Sequence, residues 1–521
     1  MLFVSFSNRR GARDKLPARV NRMKNFEQED IKGELKNFAL RESIQDSTRQ
    51  HRKEANSGHF TWIMSAIQKG DVAALQQLSE HQSSFREQDS RGWLPLHRAA
   101  VQPHTQVLEA VLQASTELTL EELTANGDTA LILAVEAGLV ENVTALLKHG
   151  ASPHNTNDKN ESPLLLAVRL KCYEMAFALM MGGAFVDQVC QKKRTALHEA
   201  AKVGCPTILM LLLRHGAKVS TSASYTTCAL RTLLPLTTER AIRISGHSPV
   251  HLAADGGQSQ CLQLLIDQGF DVNVPLETHM SENYGDRRRS ALYFAVCNGD
   301  VTCAQMLLEA GARSDLDPLR CILVAIRAER YELVRLLLSH GADVNCYFNA
   351  ISHTVFPTGL QYCLRDPLMR RLLFNSGYDA YKCFQCCCGD SEELDSSWAQ
   401  LHNQVYQIYS QPDAITFCEF VSVSWLERDV VGGVVRMLLD YVSYVHLCPK
   451  LRKILEDGPE WEDISGILNS PRSLQHLSRL VVRSHISPKI LNSAAAMAEV
   501  PLPPRVKNYL SYREYDLHGD I

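Results

Sequence analysis

Long apolar runs are missing from this 521-residue chain. A membrane-crossing helix needs about 20 consecutive apolar residues, and no run approaches that, so the sequence predicts no membrane span. Charge of one sign is also lacking. The formal net charge of −4 is too slight to point to nucleic acid or an acidic membrane surface as a partner. The opening M-L-F-V-S-F-S-N-R-R holds too few apolar residues for a secretory signal. The 16 cysteines are scattered along a long chain instead of forming a compact disulfide framework. They read as reduced intracellular thiols, many buried as small hydrophobes, which suits a cytoplasmic protein with the nucleus as a second compartment. No phosphate-binding glycine loop, nucleophile motif or paired zinc signature stands out, which leaves an enzyme the least supported class.

What the chain has in abundance is self-similarity. G-W-L-P-L-H-R-A-A at Gly92, G-D-T-A-L-I-L-A-V at Gly127, E-S-P-L-L-L-A-V at Glu161 and R-T-A-L-H-E-A-A at Arg194 are variants of one unit. H-S-P-V-H-L-A-A at His247 and R-S-A-L-Y-F-A-V at Arg289 continue it. Each is followed by an apolar second segment, such as Val143 to Leu147 or Leu333 to Leu338, and several close with Gly-Ala, as at Gly150, Gly216, Gly311 and Gly341. The early spacing is close to a period of about 33 residues. Thr or Ser before Pro supplies an N-cap and a fixed φ together, and the closing Gly supplies the left-handed turn that ends a helix. Ala99-Ala100 and Ala253-Ala254 let helices approach closely, while Leu pairs fill the space between units. This pattern resembles ankyrin repeats. It implies an all-α fold, a helix–turn–helix solenoid in which each repeat is stable only against its neighbours. His97, His198 and His251 recur at one repeat position, so stacking sets them in a row instead of converging on one ion; in ankyrin repeats this His makes structural hydrogen bonds.

The C-terminus carries a different signal. From Ser470, Ser470 is expected as N-cap and Pro471 as first helical residue, with Leu474, Leu477, Ser478, Val481 and Val482 at helical spacing on one small apolar face. V-P-L-P-P-R-V-K-N-Y-L over 500–510 follows as an extended run entering a short helix. So short a module cannot bury a core alone, so it either caps the preceding domain or docks another protein. Ser473-Leu474-x-x-x-Ser478-x-x-x-Val482 resembles the elongin-binding box of SOCS boxes, with Ser478 where Cys is commoner. Val500-Pro501-Leu502-Pro503, then Val506, Tyr509 and Leu510, resembles the cullin box, with Val500 in place of the usual Leu.

Array and boxes together resemble the ankyrin repeat and SOCS box family. The resemblance implies a non-catalytic substrate receptor of a cullin–RING ubiquitin ligase, with an unknown protein substrate held on the array's concave face. Its implied elongin C contacts are Ser473, Leu474, Leu477, Ser478 and Val482, with elongin B alongside. Its implied contacts to the fifth cullin, which brings a RING partner, are Val500, Pro501, Leu502, Pro503, Val506 and Tyr509. A plain ankyrin scaffold without ligase assembly is the alternative. The expected divisions are a flexible tail over 1–58, the array over 59–379, a cysteine-containing linker over 380–412, helical capping over 413–469 and the SOCS box over 470–521.

Three stretches break the regularity. In the tail, a helix at about 27–47 with Ala39, Leu40 and Ser43 resembles a ubiquitin-interacting motif, although Lys36 stands where that motif has an apolar residue. Across 218–246 the repeat interval stretches by about twenty residues, too few for a whole repeat of about 33, which suggests repeat material lost by splicing or deletion. Cys383-x-x-Cys386-Cys387-Cys388 has no clean second Cys or His pair after it, His402 being the nearest candidate. A thiol-rich loop is expected there, with no metal and no cofactor. Arg287, Arg288 and Arg289 read as a solvated loop.

Overall fold

The structure, a computed structural model, describes residues 58–115, 119–216, 246–348, 353–386, 414–422 and 428–513. The tail helix with Ala39, Leu40 and Ser43, nearly all of the irregular stretch, and Cys387, Cys388 and His402 lie outside the described residues. Regular structure among the described residues is helical; extended backbone pairs in one isolated parallel bridge, Thr354 to Ile415. No described helix is long and apolar enough to cross a membrane.

The chain forms two compact units, Met1–Phe185 and Val186–Ile521. In the first, α1 (Gly58–Lys69) and α2 (Val72–Leu78) open a series of antiparallel pairs. These continue as α3 (Pro95–Ala100) with α4 (Thr105–Ala114), α5 (Ala130–Glu136) with α6 (Val140–Lys148), and α7 (Pro163–Arg169) with α8 (Tyr173–Met181). The second unit holds α9 (Ala196–Val203), α10 (Pro206–Gly216), α11 (Pro249–Gly256), α12 (Ser259–Asp267) and the short α13 (Thr278–Ser281). Then come α14 (Ala291–Asn298), α15 (Val301–Glu309), α16 (Cys321–Arg327), α17 (Tyr331–Ser339), α18 (Gly359–Tyr362) and α19 (Pro367–Asn375). A 3₁₀ turn, Ala380–Phe384, follows this last pair.

Sequence dictates each repeat helix locally. Ser162 and Ser290 cap α7 and α14, their hydroxyls accepting from Leu165 N–H at 3.3 Å and Tyr293 N–H at 3.1 Å. Pro95, Pro163 and Pro249 occupy the first helical turn, where a missing N–H costs nothing. The closing Gly150, Gly311 and Gly341 adopt φ of 91, 88 and 86°, a region where a Cβ would be strained. Ala99, Ala100, Ala253 and Ala254 are fully buried, and Leu146, Leu265 and Leu337 fill the interior, each leucine contributing about 2 kcal/mol.

The repeat histidines join one repeat to the next. Nδ1 of His97 accepts from the N–H of Leu94 at 3.1 Å, and Nε2 lies 3.0 Å from the Glu122 carbonyl. His198 uses the N–H of Thr195 and the carbonyl of His247, the latter at 2.9 Å; His251 uses Ser248 N–H at 3.1 Å and Arg289 carbonyl at 2.9 Å. Because a backbone N–H must donate to Nδ1, Nε2 carries the proton and donates onward. Each imidazole closes the start of its own helix and ties down the following loop. The expectation of a row of structural histidines therefore holds. Asn142 adds a parallel link, donating to the carbonyls of Ala100 at 3.0 Å and Gln102 at 2.7 Å.

Arg287 and Arg289 are exposed, as a solvated loop requires, and Arg288 between them differs from expectation. Arg288 pairs with Asp286 at 2.7 Å and lies over the rings of Tyr284, Tyr293 and Phe294 at 4.9, 5.4 and 5.2 Å. Three aromatic faces and a carboxylate outweigh hydration of one guanidinium, so this residue packs instead of waving in solvent.

Burial lowers the pKa of His198 and His251 to about 4, against about 6.5 for a free imidazole. The unfolded chain therefore takes up these protons first, so their stabilisation is complete above pH 6.5 and is lost as pH falls toward 4, by about 1.4 kcal/mol per pH unit per histidine. Hydrogen-exchange protection factors of α9 and α11, taken relative to the intrinsic rate at each pH, are expected to fall between pH 7 and pH 5, and His198→Gln with His251→Gln to flatten that dependence.

Candidate docking site at the C-terminal module

The last repeat leads into a helical joint. Its parts are α20 (Phe417–Val421), α21 (Arg428–Leu438), a 3₁₀ turn at Leu439–Tyr441, α22 (Pro449–Glu456) and α23 (Trp461–Asn469). The terminal module comprises α24 (Leu474–Ser484), α25 (Pro488–Asn492), α26 (Ala494–Glu499) and α27 (Pro504–Leu510).

The start of α24 corrects one expectation. Ser473, not Ser470, is the N-cap, its hydroxyl accepting from His476 N–H at 3.1 Å, and Ser470 is extended at φ −103°, ψ 145°. Tertiary anchors hold residues 470–473 out of the helix. Arg472 donates to the carbonyls of Leu439 at 2.5 Å and Ser443 at 3.1 Å, and His476 Nε2 lies 2.9 Å from the Val442 carbonyl.

More telling is which face of α24 turns inward. Arg479 and Arg483 are buried, whereas Leu474 is 82% exposed, Val481 59% and Val482 40%. Ser478 is exposed and Leu477 half-buried. The helix is thus amphipathic in the reverse sense: arginines inside, hydrophobes outside. Arg479 lies 3.4 Å from the Tyr509 ring centre and 4.2 Å from that of Tyr512. Arg483 stands 4.7 Å from the Tyr512 ring and donates to the carbonyls of Leu510 and Asn375, the latter at 2.5 Å. Burial pulls the Arg483 guanidinium below its usual pKa and pushes the Tyr512 phenol up. A guanidinium nevertheless stays charged at neutral pH, and carbonyl oxygens and ring faces replace its water.

Behind this helix the joint is polar. Tyr441 donates to the Asn375 side chain at 2.5 Å, and its ring meets Tyr512 at 4.5 Å. Asp440 accepts from Arg371 and Arg436, both at 2.9 Å. Asn492 donates to the Ser376 carbonyl at 3.4 Å. The module is therefore bolted to the last repeat through backbone oxygens at the end of α19.

The other expected contact residues spread over α26 and α27. Val500 is half-buried and ends α26; Pro501 and Pro503 are exposed, Leu502 is half-buried, and Val506 is 40% exposed. Tyr509 is half-buried against Arg479, so part of its ring already serves the module itself. Sequence reasoning missed Arg472, Arg479, Arg483 and Tyr512 as the supports of this surface. The available signal was the i, i+4 arginine pair on the side of the helix away from Leu474.

In the first unit, α8 shows Tyr173, Phe177 and Met181 at 42, 42 and 64% exposure, with Phe185 at 59% just beyond. Their spacing of four residues places them along one side of the helix.

Fold and site define a helical-repeat protein whose array is followed by a small helical module with an apolar outer face. The family model described as SOCS box matches residues 470–511; that of ankyrin repeats in three copies matches 63–157, 221–317 and 250–347, and a single ankyrin repeat matches 192–223. Ankyrin repeat and SOCS box protein 14 of Mus musculus is 41% identical, over 90% of this chain and 93% of that protein. Its Homo sapiens counterpart is 40% identical, over 92 and 95%. Ankyrin repeat and SOCS box protein 2 of Rattus norvegicus is 34% identical over 54% of this chain and 43% of its own length. The chain belongs to the ankyrin repeat and SOCS box family.

Arg483→Ala removes a charged donor from two buried carbonyls and is expected to cost about 3 kcal/mol locally. Limited proteolysis of the full chain is the check: cleavage within 470–513 should become faster while the repeats stay resistant. Arg479→Lys, which keeps charge but loses the planar stack, should have a smaller effect in the same direction.

Proposed function

We propose that this chain is the substrate-recognition subunit of an elongin B/C–cullin–RING ubiquitin ligase and performs no bond chemistry itself. A substrate-receptor role in ubiquitin ligation goes with the family. The observation that carries the finer assembly is the outward apolar face of α24, with Leu474 82% exposed on a helix whose opposite face is locked. Exposed leucine and valines on a rigid support are what a partner's hydrophobic pocket requires.

In this reading Leu474 enters the central pocket of elongin C, flanked by Ser478 and Val482, with Ser473 and Leu477 at the edge. Elongin B follows its partner. Pro501, Leu502 and Pro503, with Val500, Val506 and Tyr509 around them, bear on the fifth cullin, and the RING partner of that cullin brings the charged enzyme. The ankyrin repeats hold the substrate and raise its effective concentration beside that enzyme. In the same reading the segment holding Ala39, Leu40 and Ser43 contacts ubiquitin.

Two measurements test the assembly. Purified full-length chain should capture elongin B/C, and Leu474→Asp should abolish capture without changing thermal stability, because an exposed leucine adds little to the fold. Failure of the unaltered chain to recover elongin would remove the ligase reading and leave a plain ankyrin scaffold. Val500→Leu restores one methylene at the cullin contact, worth about 0.8 kcal/mol, and should tighten cullin binding about fourfold in calorimetry.

A further inference from the structure

Three cysteines far apart in sequence meet in the joint between the last repeat and the terminal module. Cys386 follows the 3₁₀ turn Ala380–Phe384, Cys418 is the second residue of α20, and Cys448 is the N-cap of α22. Their sulfurs all lie within 4.8 Å of one another, and Cys386 and Cys418 are separated by 3.0 Å. Cys418 is buried; Cys386 and Cys448 are half-buried. Cys383 takes no part: it is buried 3.9 Å from the Tyr378 hydroxyl. The sequence motif Cys383-x-x-Cys386 is thus split, and the partners of Cys386 come from positions 418 and 448.

We infer that Cys386, Cys418 and Cys448 form a zinc site that clamps the end of the ankyrin array to the helices carrying the SOCS box. Zinc–thiolate bonds of about 2.3 Å in tetrahedral geometry set sulfurs about 3.8 Å apart. The observed separations, from 3.0 Å to at most 4.8 Å, bracket that value and need only small side-chain shifts. One further feature favours a thiolate at Cys448. Cys448 accepts from Leu451 N–H at 3.4 Å at the start of an eight-residue helix, where backbone N–H groups favour negative charge. With two of the three cysteines partly exposed, the fourth coordination position opens to water. Three thiols packed as apolar side chains would not require convergence of three separate segments, and a Cys386–Cys418 disulfide would leave Cys448 without a purpose.

The clamp has a mechanical meaning. Cys386 belongs to the end of the array, while Cys418 and Cys448 belong to the elements around α21 and the 3₁₀ turn that anchors Arg472 and His476. One ion would cross-link all three where the region otherwise relies on short helices, and metal binding would count directly as folding energy for this joint.

The test uses the purified full-length chain. Elemental analysis after gel filtration in a weak chelator should find zinc retained, and Cys386→Ser, Cys418→Ser and Cys448→Ser should each lower it by one equivalent, whereas Cys383→Ser and Cys363→Ser should not. Should the variants fail to fold, alkylation of the unaltered chain followed by peptide mass spectrometry decides the matter. Cys386 and Cys448 should be protected in zinc and become at least tenfold more reactive after a strong chelator. Zinc below one-fifth of an equivalent, alkylation indifferent to chelation, or a Cys386–Cys418 disulfide peptide would each overturn the site.

Discussion

The terminal module depends on two arginines placed where hydrophobes normally go. Arg479 and Arg483 of α24 point into the protein, one against the faces of Tyr509 and Tyr512, the other reaching carbonyls of Leu510 and Asn375. A module of some forty residues has too little apolar area to hold itself and also offer apolar area to a partner. Using guanidinium–ring and guanidinium–carbonyl contacts for the inner face resolves that conflict. Leu474, Val481 and Val482 are thereby left free at the surface. The inward face is polar and stacked; the outward face is hydrophobic.

The repeats solve a similar difficulty by other means. No single helix pair has a core, so each borrows one from its neighbour. The histidines make this borrowing specific. Every one of His97, His198 and His251 accepts within its own turn and donates to the loop of the next unit, which the neutral imidazole can do and the protonated one cannot. Burial enforces the neutral form and so keeps the link intact near neutrality.

How much of this was visible in the chain follows from distance along it. The repeats, their caps at Ser162 and Ser290 and their closing glycines are local patterns, and the helices formed where those patterns put them. The SOCS box over 470–511 was legible for the same reason. What stayed hidden were contacts set by distant partners. Nothing near Pro471 foretells that Arg472 is held by Leu439 and Ser443 carbonyls, so the helix begins at Leu474 instead. Arg288 reads as a loop residue until three aromatic rings close around it. The inward placement of Arg479 and Arg483 runs against the usual rule that charge marks a solvent face. The three converging cysteines lack any short spacing, so no local motif announces them.

The connection at Asn375 and Ser376 has one more consequence. Arg483 and Asn492 grip main-chain oxygens there, a chemistry every amino acid shares. These two grips therefore read the path of the main chain, and the side chains of Arg371 and Asn375 add contacts to Asp440 and Tyr441 beside them. The main-chain grips survive a change of side chain at Ser376, whereas the contacts from Arg371 and Asn375 tie the joint to those two residues.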